Sequence, residues 1–240
     1  MKTDVIFFWL PKVAGTSIYG MLEPLGCPKL KHSHLYNNFN NEGFVTFGHI
    51  SVPYLLKKGV ISKEYFNKSY KFCFVRNPWD RLVSYYFHLG FEKKMTFEEF
   101  CVTVHEGIKL QKTMVGSLFN LLYRIPWVGK ALSKVHKVGP FYLPIPQIGP
   151  YNSLGLSPAS PQIDWIKGDN GKIIVDFIGK FENLEDDLLK VSRILGASIN
   201  DLPHLNSTSH QSYKTYYTEK TKRIVEQTYA EEIDLFEYTF

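Results

Sequence analysis

The chain has 240 residues, 44% of them hydrophobic and 21% charged, enough apolar material to bury a real core and to argue for one globular domain with insertions. Its 28 Lys and Arg against 23 Asp and Glu leave a formal charge of +5, a mild excess that suits an anionic ligand and falls short of a nucleic-acid-binding signature. The 3 cysteines, Cys27, Cys73 and Cys101, are scattered and stand near no histidine at metal-ligand spacing, so they read as reduced thiols, with Cys73 inside a strand.

The first element is "DVIFFWL", a short apolar run that reads as a buried strand, with Pro11 marking its exit into a loop. It is too short to span a membrane, and Lys12 breaks it before a signal-peptide core can form. The expectation is therefore a cytoplasmic protein, or a lumenal one if an upstream anchor has been removed. In "TSIYGMLE" the residues Ile18, Met21 and Leu22 fall three and four apart, so a helix with one apolar face follows the loop, weakened by Gly20. The short apolar stretch "FVTF" comes next and leads into His49.

The same strand, loop and helix recur in "YKFCFVRNPWDRLVSYYFHL", with a strand from Tyr70 to Val75, a break at "RNP" and a helix carrying Leu82, Val83, Tyr86 and Phe87; Pro78 suits its first turn. Between about 95 and 161 the pattern loosens into an apolar segment and a Pro- and Gly-rich one, which predicts a lid or acceptor-binding insertion at about 103–158. A third repeat, "KIIVDFIGKFENLEDDLLKVSRILG", gives a strand from about Ile173 to Phe181. Asn183 then caps a helix with Glu185, Asp186 and Asp187 in its first turn and a stripe of Leu184, Leu188, Val191 and Leu195, closed by Gly196. A last helix starts near Thr218 and buries Val225, Tyr229, Ile233 and Phe236. Alternating strands and helices predict an α/β fold with a central parallel sheet flanked by helices, whose ligands sit at the carboxyl ends of the strands.

Two loops lie at such ends. In "LPKVAGTSIYG" the small residues Ala14 and Gly15 let the backbone approach an anion closely. The first N–H groups of the next helix, together with the Thr16 and Ser17 hydroxyls, face it, and Lys12 adds a full charge. The spacing is not that of the nucleotide triphosphatase loop G-x-x-x-x-G-K-[ST], where the lysine follows the glycines. In "RNPWDRLVSYYF" Arg76 stands at a strand end with planar donors suited to phosphate, and Ser84 lies in the following helix.

Together, "PKVAGTS" and "RNPWDRLVS" resemble the sulfotransferases that use 3'-phosphoadenosine 5'-phosphosulfate (PAPS), in the branch containing Golgi carbohydrate sulfotransferases and their bacterial relatives. By that resemblance the loop from Lys12 through Val13, Ala14, Gly15, Thr16 and Ser17 binds the 5'-phosphosulfate, and Arg76 and Ser84 bind the 3'-phosphate. Ala14 replaces the glycine of many members with another small residue. "FGHISVPYL" is similar to a segment of members such as heparan sulfate 2-O-sulfotransferase in which the histidine is the catalytic base, which implies that role for His49. "SPQIDWI", "IGKFENLEDDL" and the stretch from Leu202 to Phe240 also look like later family segments, and a late loop from Leu205 to Tyr213 resembles the one that closes over the nucleotide, with Tyr213 in contact.

The resemblance implies a single P-loop-like, three-layer domain over residues 1–240. Its activity would be transfer of a sulfuryl group from PAPS to an acceptor hydroxyl, on a carbohydrate by family membership, with 3'-phosphoadenosine 5'-phosphate (PAP) as product. Sulfuryl transfer is mostly positioning and charge stabilisation, much as phosphoryl transfer is, and that scheme requires no metal. Lys12 would meet the charge growing on the leaving phosphate, and His49 would take the acceptor proton. His204 and His210 flank the late loop as outside candidates for the base. Aromatic residues such as Trp127, Phe141 and Tyr142 in the insertion suit sugar stacking or core packing. The alternatives are a nucleotide-dependent kinase, disfavoured by the missing G-K-[ST], and a non-catalytic nucleotide-binding module. Acceptor identity and oligomeric state stay open.

Overall fold

The computed structural model describes residues 4–30, 39–111, 113, 137–138, 141–142, 156–196 and 211–240. Its strands are β1 (Val5–Trp9), β2 (Lys29–Leu30), β3 (Phe44–Gly48), β4 (Tyr70–Val75), β5 (Lys137–Val138), β6 (Phe141–Tyr142) and β7 (Phe177–Lys180). Its α-helices, among the described residues, are α1 (Gly15–Leu22), α2 (Val52–Lys57), α3 (Lys63–Lys68), α4 (Pro78–His88), α5 (Phe97–Gln111), α6 (Leu184–Leu195), α7 (Glu219–Thr228) and α8 (Ala230–Phe236). None of these is long and apolar enough to cross a membrane. The chain divides into two compact units, one of Met1–Arg76 with Gln162–Ser207 and one of Asn77–Pro161 with Thr208–Phe240.

The first unit holds a five-stranded sheet in the order β2-β3-β1-β4-β7, with every pairing parallel. It is the predicted central parallel sheet flanked by helices. The middle strands are largely apolar because they are buried on both faces: every residue of β1 is buried, and every residue of β4 after Tyr70, with the buried Lys71 of β4 paired to Asp176 at 2.9 Å. Phe7 stacks on Phe72 at 5.0 Å between ring centres, and the thiols of Cys27, Cys73 and Cys101 are free and buried. The chain leaves β1 toward β2 and β3 on one side, then crosses to β4 and β7 on the other, so the topological switch lies at the carboxyl ends of β1 and β4, where α/β sheets bind ligands.

The third repeat differs from its sequence reading. The strand is confined to Phe177–Lys180, because Ile173 pairs back on Lys167 in an antiparallel bridge and the Ile174 N–H donates to the Ile166 carbonyl at 3.0 Å. A turn with Gly171 at φ 75° makes that reversal possible. Asn183 stands at the cap position of α6 without a side-chain capping bond. Asp187 ties the strand to the helix instead, accepting from the Lys180 N–H at 2.8 Å and from Lys190 Nζ at 2.7 Å. Gly196 closes α6 in the left-handed region, as predicted.

In the second unit α4 begins at Pro78, with Asn77 capping it by accepting from the Trp79 N–H at 3.0 Å. Helix α5 occupies the start of the span where the sequence pattern loosens, burying Phe97, Phe100, Cys101, Val104 and Ile108. Its Phe100 lies 5.9 Å from Tyr85 and 5.2 Å from Tyr86. Thr218 and Thr221 form a capping box at the start of α7, and the predicted last helix breaks at Tyr229 into α7 and α8. The Tyr229 hydroxyl donates to the Ala159 carbonyl at 2.6 Å. The strands β5 and β6 pair antiparallel, and most of the 103–158 insertion, Trp127 included, lies outside the described residues.

Arg81, the second arginine of "RNPWDR", is turned into this unit. It donates to the carbonyls of Pro158 at 2.8 Å and Ser160 at 3.1 Å. It also stands 3.6 Å from the Glu232 carboxylate, with both side chains almost completely buried. Removing one partner of such a pair leaves a charge in a poorly solvating interior. Arg81→Met is therefore expected to cost about 3–5 kcal/mol of stability, read from urea unfolding. A loss under about 1 kcal/mol, the scale of an exposed pair, would contradict this reading.

Candidate functional site

Three strand ends of the first unit carry the predicted residues. After Trp9 the chain turns through Lys12 and Ala14, both in the left-handed region at φ 66° and 60°, a conformation that costs a non-glycine residue of order 1 kcal/mol or more. Turns built this way gather backbone N–H groups into anion-binding concavities. Val13 is buried between them, Ala14 is half-buried, and the chain enters α1 with the Ser17 and Ile18 N–H groups donating to the Ala14 carbonyl at 2.9 and 3.1 Å. Thr16 is exposed and Ser17 buried. The earlier N–H groups of the first turn have no acceptor within the helix, which is the usual basis of an anion site.

Gly15 is required by packing. A Cβ there would fall 1.8 Å from Trp9 Nε1 and 2.0 Å from Trp9 Cδ1, so the indole occupies the volume that any side chain would need. The same indole stacks on Tyr19 at 6.2 Å and meets the edge of the His49 ring at 5.5 Å. His49 is the first residue past β3, and its N–H donates to the Trp9 carbonyl at 2.8 Å, extending the ladder by one step. It too is left-handed, at φ 59°, and half-buried. Trp9 thus fixes both the anion loop and the histidine.

Arg76 follows β4 and is 9% exposed. Its Nη1 donates to the Lys12 carbonyl at 3.4 Å, and its guanidinium carbon lies 4.1 Å from the centre of the Phe181 ring. Its backbone N–H donates to Gln162 Oε1 at 2.8 Å, and its carbonyl accepts from Gln162 Nε2 at 2.9 Å. Burial first, and the neighbouring Arg76 charge second, hold the Lys12 ammonium down to a pKa of about 8. Two cations gathered in a half-buried place raise each other's energy, and an anion between them relieves that cost.

Lys12 through Ser17, His49 and Arg76 therefore share one end of one sheet. Ser84, 2% exposed on α4, and Tyr213, half-buried at the start of a 3-10 helix with its ring 5.7 Å from Phe240, belong to the second unit. His204, His210 and the loop from Leu205 to Ser209 lie outside the described residues. Sequence reasoning missed Gln162 and Phe181. The signal for Gln162 was a lone amide in the apolar stretch "PQIDWI"; for Phe181 it was its place immediately after the strand that pairs with β4.

Residues 2–118 match the family model described as the Sulfotransferase family, a segment that includes Lys12 to Ser17, His49, Arg76 and Ser84. An uncharacterized protein of Archaeoglobus fulgidus is 24% identical over 164 residues, covering 68% of this chain and 98% of that protein. Among solved structures, mouse sulfotransferase SULT7A1 complexed with PAP has a similar fold, with a TM-score of 0.50 and 11% identity, covering 100% of this chain and 90% of that one. A sulfotransferase from Alicyclobacillus acidocaldarius aligns at a TM-score of 0.44 and 15% identity, covering 98% of this chain and 96% of that one.

The lowered Lys12 pKa has a consequence for anion binding. Below about pH 8 the ammonium is charged and attracts a phosphate; above it the free site loses that charge, and binding must supply the proton. Affinity for PAP is expected to be flat between neutrality and that point and to fall as pH rises through it. Lys12→Arg, with a guanidinium that stays charged, should remove the alkaline fall. Calorimetry showing the same fall in both proteins would contradict the assignment to Lys12.

Proposed function

We propose that this chain, whose residues 2–118 match the model of the Sulfotransferase family, moves a sulfuryl group from PAPS to an acceptor hydroxyl by in-line displacement. The observation that carries the reading is the contact between two strand-end loops: Arg76 Nη1 reaches the Lys12 carbonyl, so a flexed anion loop and a buried guanidinium stand side by side. A donor with a 5'-phosphosulfate and a 3'-phosphate offers one anion to each.

The backbone N–H groups and hydroxyls from Val13 to Ser17 take the 5'-phosphosulfate, and Arg76 takes the 3'-phosphate. In the transfer the acceptor oxygen forms its bond to sulfur while the bond from sulfur to the bridging phosphate oxygen breaks, and the leaving PAP carries away the electron pair. Lys12 neutralises the charge growing on that bridging oxygen, an interaction worth most in the transition state. His49 accepts the proton of the attacking hydroxyl. Its place past the end of β3, with its ring against Trp9 beside the anion loop, supports that role. The acceptor is a carbohydrate on the strength of the branch that the sequence resembles.

The reading is tested by incubating the protein with labelled PAPS and a panel of glycans, lipids and small alcohols. Label is expected on a glycan hydroxyl. His49→Ala should lower turnover by roughly 10² to 10⁴, the range for loss of a general base, while PAP binding persists. Near-normal turnover in His49→Ala would remove the histidine from the mechanism. Absence of transfer, with thermal stabilisation by magnesium ATP and none by PAP, would favour a kinase.

A further inference from the structure

Arg76 stands one residue past the end of β4, and its position is fixed from three directions. The register of β4 with β7 ends at Val75 opposite Lys180, so the next step along both strands sets Arg76 beside Phe181. Side chains at that spacing on neighbouring strands touch, and the guanidinium lies 4.1 Å from the Phe181 ring centre. On the β1 side Nη1 meets the Lys12 carbonyl. The Arg76 backbone, which a longer strand would have paired, is instead held by the primary amide of Gln162, one bond in each direction at 2.8 and 2.9 Å. Gln162 is 0% exposed.

A side chain that replaces a strand on both the N–H and the carbonyl of one residue does something an apolar side chain of the same shape cannot. It fixes the φ and ψ at which Arg76 leaves the sheet, and hence the direction of its side chain. We infer that Gln162 is a positioning residue for the donor site, holding the Arg76 backbone so that its guanidinium, beside the Phe181 ring, is presented to a donor phosphate. This inference rests on the reading of Arg76 as the phosphate grip. The two bonds that Gln162 makes to the Arg76 backbone join neutral groups, so the effect they have on donor affinity runs through Arg76.

The test is a double-mutant cycle on PAP affinity by calorimetry, with unfolding of each protein measured in parallel. Gln162→Met keeps the length and removes both bonds; Gln162→Asn keeps a neutral amide but draws it back by one methylene from the Arg76 N–H and carbonyl, and guards against a folding failure of the first. Each is expected to weaken PAP by ~10-fold, the scale of strongly coupled neighbours. In an Arg76→Ala background, where the Lys12 loop still grips the other end of the ligand, the same changes should alter PAP affinity less than about twofold. An equal loss in both backgrounds, or no loss in either, would overturn the positioning role. If Arg76→Ala itself leaves PAP affinity unchanged, the phosphate grip fails and this inference with it; if Arg76→Ala weakens PAP and the Gln162 variants do not, only this inference fails.

Discussion

Parallel pairing of β1 with β3 on one side and β4 on the other sets everything else in the first unit, because parallel strands end together. Trp9 is in register with Gly48, and Phe8 with Cys73, so the residues that follow those strands emerge at one end of the sheet. Lys12, His49 and Arg76 are far apart in sequence and are neighbours by this register alone. The sheet can be this regular because β1 is apolar along its whole length and the one buried charge of β4, Lys71, is paired with Asp176; a slip of one residue would turn these side chains to the opposite face.

At that end the structure accepts local costs. Three residues other than glycine, Lys12, Ala14 and His49, are held at positive φ, and a buried arginine stands close enough to Lys12 to depress its pKa. Strain of this kind persists only where the surroundings over-determine it. Trp9 provides much of that determination through its ring against Gly15 and His49 and its carbonyl on the His49 N–H. An anion held between the two cations would relieve the electrostatic cost of keeping them together.

Much of this was legible in the sequence because the relevant signals are local. The strand from Tyr70 to Val75, the helix after Pro11, the closing Gly196 and the parallel sheet follow from apolar runs and punctuating residues. The strand before α6 is shorter than the run "IIVDFI", apolar but for Asp176, suggests, and nothing local reveals that Ile173 pairs with Lys167 across a turn. Asn183 looks like a cap, yet Asp187 ties the strand to the helix from inside the first turn. Lys12 to Ser17 and Arg76 stand out by their chemistry and spacing and His49 only through the family resemblance, whereas Gln162 and Phe181 act through contacts with Arg76 across 86 residues in the first case and across a strand pairing in the second. Tertiary contacts of that kind leave no periodic trace in a single sequence.

The account's central claim is that one nucleotide bridges the loop after β1 and the arginine after β4. A crystal structure of the protein with PAP tests it most directly. The 5'-phosphate should accept hydrogen bonds from backbone N–H groups between Val13 and Ser17 and lie beside Lys12 Nζ, with the 3'-phosphate on the Arg76 guanidinium. A bound PAP whose phosphates touch neither the Lys12 loop nor Arg76 would contradict it.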